Sequence, residues 1–157
     1  MKPGEMIQRY ADGPRLLRQA VDGMSASELD AAPIAGLWSS RYVVCHIADF
    51  EIVYADRMKR VIAEREPSFF GGDPDVFAVG LAYAQRDVAE ELQLVEAIRR
   101  QMVHILRSLG EADFGRIGHH NEAGPLSLAA LLQSVTDHLR HHTRLIEDKR
   151  AALGAQR

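Results

Sequence analysis

The chain has 157 residues, 46% of them hydrophobic and 26% charged, with a formal net charge of −3. That is the size and make-up of one globular domain, 1–157, long enough to bury a core without a disulfide or a structural metal. The weakly acidic balance gives no basic footprint and excludes a dedicated nucleic-acid binder. Cys45 is the one cysteine, so an intrachain disulfide is excluded and a reducing cytoplasm fits. The polar residues after Met1 do not form a signal-peptide core, and no stretch reaches the 18 or more apolar residues of a membrane span. A cytoplasmic protein with no membrane partner is the expectation.

The first amphipathic stretch covers residues 5–23, with Ile7, Tyr10, Leu17 and Val21 on one face. Gly13-Pro14 falls in its middle, and a proline inside a helix removes a hydrogen bond, which predicts a bent helix or two short pieces. Ser25-Ala26-Ser27-Glu28 has the form of a capping box and opens a short extra turn. The second helix starts at Ser39 or Ser40, either of which serves as an N-cap, directly after Trp38. Its apolar face collects Val43, His46, Ile47, Phe50, Val53, Tyr54, Met58 and Val61. A loop marked by Pro67, Gly71-Gly72 and Pro74 follows. The third helix, residues 81–109, turns Val88, Leu92, Val95, Met102 and Leu106 inward and ends on Gly110 as its C-cap glycine. A polar loop over 111–125 leads to Ser127, the N-cap of a fourth helix with Leu128, Leu131, Val135, Leu145 and Ile146 on one stripe. No β-type alternation of any length appears, nor any internal repeat. The expected architecture is all-α, a four-helix bundle with long connections between helices.

Chemistry concentrates in the fourth helix. His138-Leu139-Arg140-His141-His142 holds three of the seven histidines in five residues. His138 and His142 are four apart and therefore stack on one helical face. On a helical wheel they fall inside the apolar arc, roughly 140° wide, with His142 near its centre and His141 just outside its edge. Chance alone yields roughly 0.3 such histidine pairs in a chain of this composition, so the pair by itself is weak. His46 changes the weight, because it sits among Val43, Phe50 and Val53 on the inner face of the second helix. Three unpaired interior imidazoles would each cost about 1–3 kcal/mol. One divalent ion held by three nitrogens removes that cost and leaves an open position for water or substrate.

Trp38-Ser39 followed by Val43-Val44-Cys45-His46-Ile47-Ala48-Asp49 resembles the start of the second helix in the DinB/YfiT-like superfamily. His120-Asn121, Gly124-Pro125-Leu126-Ser127-Leu128 and Asp137-His138-Leu139-Arg140-His141-His142 resemble its run into the fourth helix and its H-x3-H pair. The resemblance implies a four-helix bundle, often a homodimer, with a divalent metal on a histidine triad. Carried over residue by residue, the ligands are His46, His138 and His142. It further implies a metal-dependent enzyme acting on a small molecule. Some relatives depend on a low-molecular-weight thiol, mycothiol or bacillithiol, as transferases or as a maleylpyruvate isomerase. The family name reflects damage-inducible expression of some members and brings no DNA-binding activity.

Other residues invite a role. Arg57 lies in the apolar arc of the second helix and suits either an anion anchor for a carboxylate substrate or thiol cofactor, or an interior salt bridge to Glu91. Asp49 and Asp137 offer carboxylates to orient a ligand imidazole, although Asp137 lies opposite the apolar stripe. Cys45 points about 100° away from His46 and reads as a buried, inert thiol. His119 and His120 fall in the loop before the fourth helix, where they overhang the site or are solvated, and His104 lies off the core face of the third. Two readings follow. The first is a metal-dependent transferase, isomerase or hydrolase using Zn²⁺ or Ni²⁺. The second is a non-catalytic module in which the histidines or their metal stabilise the bundle and a dimer surface or the Phe69-Phe70-Gly71-Gly72 loop meets a partner.

Overall fold

Pro14 lacks the N–H that would bond the carbonyl of Tyr10, and the fold is organised around that loss. In the computed structural model, which describes residues 1–155, the first stretch splits into α1 (Pro3–Ala11) and α2 (Gly13–Val21). Asp12 between them keeps a helical backbone, with φ −73° and ψ −20°, so the two pieces form a kinked rod. The freed Tyr10 carbonyl accepts a 2.7 Å bond from Arg99 Nη1. Gly13 is needed for this approach: a β-carbon there would fall 2.0 Å from the same nitrogen.

The capping box over Ser25–Glu28 opens α3 (Ala26–Asp30) as expected. The second long helix, α4 (Ser40–Ala63), starts on Ser39, whose hydroxyl accepts the Tyr42 N–H at 3.3 Å. The next loop carries a short helix, α5 (Pro74–Gly80), capped by Asp73. The third long helix, α6 (Val88–Arg107), begins seven residues later than the periodicity suggests. Leu81 closes α5, Ala82 takes a left-handed φ of 53°, and the Asp87 carboxylate caps the Glu90 N–H to restart the helix. Gly110 is not its C-cap. Ser108 ends α6, and Gly110 has an ordinary φ of −79°. The last helix, α7 (Leu128–Ala155), runs 28 residues.

The polar loop before α7 folds into strands, which corrects the expectation of a chain without them. β1 (Ser68–Phe69) pairs parallel to β2 (Ile117–His120), and β2 pairs antiparallel to β3 (Gly124–Ser127). Strands of two to four residues carrying Gly118 and Pro125 are too short and too interrupted for alternation to show in the sequence. Gly118 lets the sheet sit on the bundle end, since a β-carbon there would meet Phe69 Cε1 at 2.4 Å and Val61 Cγ2 at 2.9 Å.

The kinked rod, α4, α6 and α7 are the four columns of the bundle. α4 packs on both α6 and α7, and the rod lies against α6 and α7. One half of the core joins Met6, Tyr10, Met58, Met102, Leu106 and Leu131; the other joins Leu17, Val44, Ile47, Val95, Leu139 and Ile146. Between them is a polar knot absent from the sequence reading. Glu51 and Arg99, both fully buried, form an ion pair with Arg99 Nε at 3.0 Å, and the Arg99 guanidinium stacks on the Tyr10 ring and also reaches the Val135 carbonyl at 3.2 Å. One side chain thus ties α1, α4 and α7 to α6. Among the described residues no helix is long and apolar enough to cross a membrane.

Candidate metal centre

α4 and α7 face each other along the stretch that carries the histidines. His46, on the second turn of α4, is 4% exposed. His138 and His142 sit one turn apart on α7 and are half-buried. Their Nε2 atoms converge: His46 Nε2 is 2.8 Å from that of His138 and 3.1 Å from that of His142. Among the described residues this is the group of His, Cys, Asp and Glu side chains able to share one ion, with all ligand atoms within 4.8 Å of one another. Nitrogens held at about 2.0–2.1 Å by a tetrahedral zinc ion stand about 3.4 Å apart, so the two separations from His46 are near that spacing and each has to open by about half an ångström or less. A neutral imidazole nitrogen carries either a proton or one lone pair. His46 Nε2 therefore cannot satisfy both neighbours well, whereas a shared cation can satisfy all three.

The rings are held ready for that role. Burial pulls the His46 imidazole down to about 4, against a small opposing effect of Asp49. Burial likewise takes His138 and His142 to about 3, and the neighbouring imidazoles add to the depression. All three are neutral at pH 7, the form that ligates. Each Nδ1 is buried without a hydrogen-bond partner among the described residues, a departure from the carboxylate or carbonyl that usually orients a ligating imidazole. The rings are fixed instead by packing. Phe50 lies 4.6 Å from His46 and 5.7 Å from His138, centroid to centroid, and Trp38 meets the edge of His46 at 5.5 Å.

The histidine cluster forms one wall of a pocket of about 380 Å³, lined also by Trp38, Phe50, Tyr54 and Pro74. The nitrogens are thus reachable from solvent through an aromatic, mostly apolar mouth. The chain matches the DinB superfamily model over residues 9–146. It belongs to the DinB superfamily. A protein of Oceanobacillus iheyensis named "Putative metal-dependent hydrolase" is 30% identical over 138 residues, covering 88% of this chain and 80% of the relative. One of Bacillus mycoides bearing the same description is 29% identical over 147 residues, covering 94% and 84%. YfiT from Bacillus subtilis, described as a probable metal-dependent hydrolase with an unusual four-helix bundle topology, superposes with a TM-score of 0.90 at 26% identity, covering 97% of this chain and 87% of that one. The four-helix bundle and the DinB/YfiT resemblance of the sequence are both borne out.

Within this DinB fold the other candidate residues scatter. Arg57 is buried but pairs with neither Glu91 nor the histidine pocket. Its guanidinium bonds the Phe70 carbonyl and stacks over Tyr54 and Phe69, while Nε has no partner. It lines a neighbouring pocket of about 410 Å³ with Arg60, Phe69 and Phe70. Glu91 belongs instead to Arg86, whose Nη1 also holds Asp49 at 3.0 Å. That bond is why Asp49 does not orient His46: a guanidinium outcompetes an imidazole for the carboxylate. Asp137 is exposed and bonded to Gln133, and His141 is exposed. Cys45 is fully buried, its thiol on the Tyr83 carbonyl at 3.8 Å and pushed by burial up to about 11. His119 is exposed, and His120 accepts the Glu122 and Ala123 N–H groups with Nδ1, so it shapes the hairpin turn. His104 is exposed on α6. The sequence missed Arg86, Arg99 and Glu51. Opposite charges inside the apolar arcs of two helices were the signal available.

Proposed function

We propose that this chain is a metal-dependent hydrolase in which His46, His138 and His142 hold one divalent ion, Zn²⁺ or Ni²⁺, and the aromatic pocket beside them takes a small-molecule substrate. The observation that carries the reading is the meeting of three imidazole nitrogens on the wall of an open pocket. The names of the relatives and of the YfiT neighbour support it. Held by His46, His138 and His142, such an ion would supply a water of near-neutral acidity and Lewis-acid polarisation of a carbonyl oxygen. Trp38, Phe50 and Tyr54 would hold the apolar part of the substrate against the histidines. No carboxylate lines this pocket. Among the described residues no Asp or Glu on this lining serves as a general base, and proton transfer would pass through the open mouth.

A thiol-dependent transferase remains the second reading. Its favouring observation is Arg57, a buried guanidinium with an unpartnered Nε in a separate pocket, linked to the histidine pocket through the Tyr54 ring it stacks on, which suits the carboxylate of mycothiol or bacillithiol. The two readings separate in one experiment. Zn²⁺- or Ni²⁺-loaded protein is assayed on a panel of small esters and amides, with and without added thiol, beside His142→Ala. Hydrolysis without thiol that is lost in His142→Ala supports the hydrolase. Turnover that requires thiol and collapses in Arg57→Met supports the transferase. Inactivity in both formats, with metal bound, would sink both and leave the metal structural.

A further inference from the structure

A cavity larger than the histidine pocket lies elsewhere. It is a cleft of about 650 Å³ between the kinked rod and α6, and it shares no lining residue with the histidine pocket. Its rims carry Arg15 and Arg18 from α2 and Arg100, His104 and Arg107 from α6. On α6 these three are spaced i, i+4 and i+7, which places them on one face. The chain as a whole is net acidic at −3, yet Glu96 is the sole carboxylate on this lining. Glu96 is taken by Arg18 at 3.0 Å. Arg15 reaches the neutral Gln19 at 3.2 Å, and neither Arg100 nor Arg107 has an ion-pair or hydrogen-bond partner among the described residues.

We propose that this cleft binds a small phosphorylated molecule bearing at least two negative charges. Guanidinium groups on facing walls suit phosphate oxygens bidentately, and several of them together spread over a multiply charged group. Gathering four guanidinium groups in one concavity against a single carboxylate, Glu96, raises the local potential, and an anion relieves it. The floor is apolar, formed by Ala11, Pro14 and Val103, and gives a ring or aliphatic body a surface to rest on. The volume lies within the range typical of small-molecule sites. Arg99 also contributes to the floor, but its guanidinium is spent inward on Glu51 and two carbonyls, so it supplies rigidity rather than charge. The proposal is independent of the metal reading.

Isothermal titration tests it, with inorganic pyrophosphate and a nucleoside diphosphate as probes at constant ionic strength. Citrate serves as a carboxylate comparison. Wild type, Arg100→Ala/Arg107→Ala and His142→Ala are titrated after chelator treatment. The expected result is saturable binding near one equivalent, weakened about tenfold or more in the double arginine variant, unchanged in His142→Ala and falling with added salt. Both arginines are solvent-facing, and circular dichroism confirms that the variant stays folded. Equal affinity in the double variant, loss in His142→Ala, citrate binding more tightly than either phosphate, or no saturable heat would each overturn the proposal.

Discussion

Arg99→Met removes the guanidinium that holds three helices and leaves Glu51 alone in the core. Glu51 is 0% exposed and Arg99 1%, so solvent does not screen the loss. Removing one partner of such a pair costs about 3–5 kcal/mol, because the remaining charge stays buried uncompensated. For a chain of this size the melting temperature falls by roughly 6–20 °C on that basis. The Tyr10 carbonyl, freed by Pro14, loses its donor at the same time. Burial already raises the Glu51 carboxyl, opposed by Arg99 and Tyr10; in the variant the main opposing charge is gone and the folded-state value rises further. A group with a raised folded value contributes stability below its unfolded value and loses it as pH climbs through the folded one. The deficit of Arg99→Met relative to wild type is therefore smallest in mild acid and grows toward neutral pH. Adding Glu51→Leu to Arg99→Met recovers a large part of the loss. The assay is thermal and urea unfolding between about pH 4.5 and 7.5, around the ordinary Glu value. A loss that is independent of pH and not reduced by Glu51→Leu would show that the ion pair is not what the core depends on.

Further outcomes are specific. In metal-free protein the depressed imidazoles of His46, His138 and His142 make the unfolded chain bind more protons below about pH 6.5. Stability then falls as pH drops from that value toward about 4, and His138→Gln/His142→Gln flattens the slope; an unchanged slope contradicts it. Gly118→Ala forces a β-carbon against Phe69 and Val61 and costs about 1–3 kcal/mol, read by urea unfolding; a neutral result would mean the sheet slides freely on the bundle. Cys45, buried with its thiol near 11, reacts with a thiol reagent far more slowly in native protein than in denaturant, and rapid native labelling would refute that burial.

Much of the site was legible in the sequence because helices repeat simply. His138 and His142 share a face at any i, i+4 spacing, and His46 falls among apolar neighbours whose inward direction is fixed by the same period. The bend at Pro14 and the caps at Ser25 and Ser39 follow from local chemistry alone. What escaped depends on long-range partners. Arg86 sits outside the helices and captures both Asp49 and Glu91, so the carboxylate one turn from His46 is committed elsewhere. Arg99 answers a carbonyl vacated by a proline 85 positions away. The three strands pair residues 68–69 with 119–120 and 117–120 with 124–127, too short to leave a period. Arg57 was recognisable as interior, but its partner is a backbone carbonyl, which no side-chain pattern announces.

X-ray absorption spectroscopy on protein loaded with one equivalent of Zn²⁺ or Ni²⁺, alongside elemental analysis of chelator-free preparations, tests the metal centre most directly. One ion per chain in a shell with three imidazole nitrogens, lost in each of His46→Ala, His138→Ala and His142→Ala, is the expected result. A chain that stays metal-free in excess Zn²⁺ and Ni²⁺, or an ion retained when all three histidines are replaced, would contradict it.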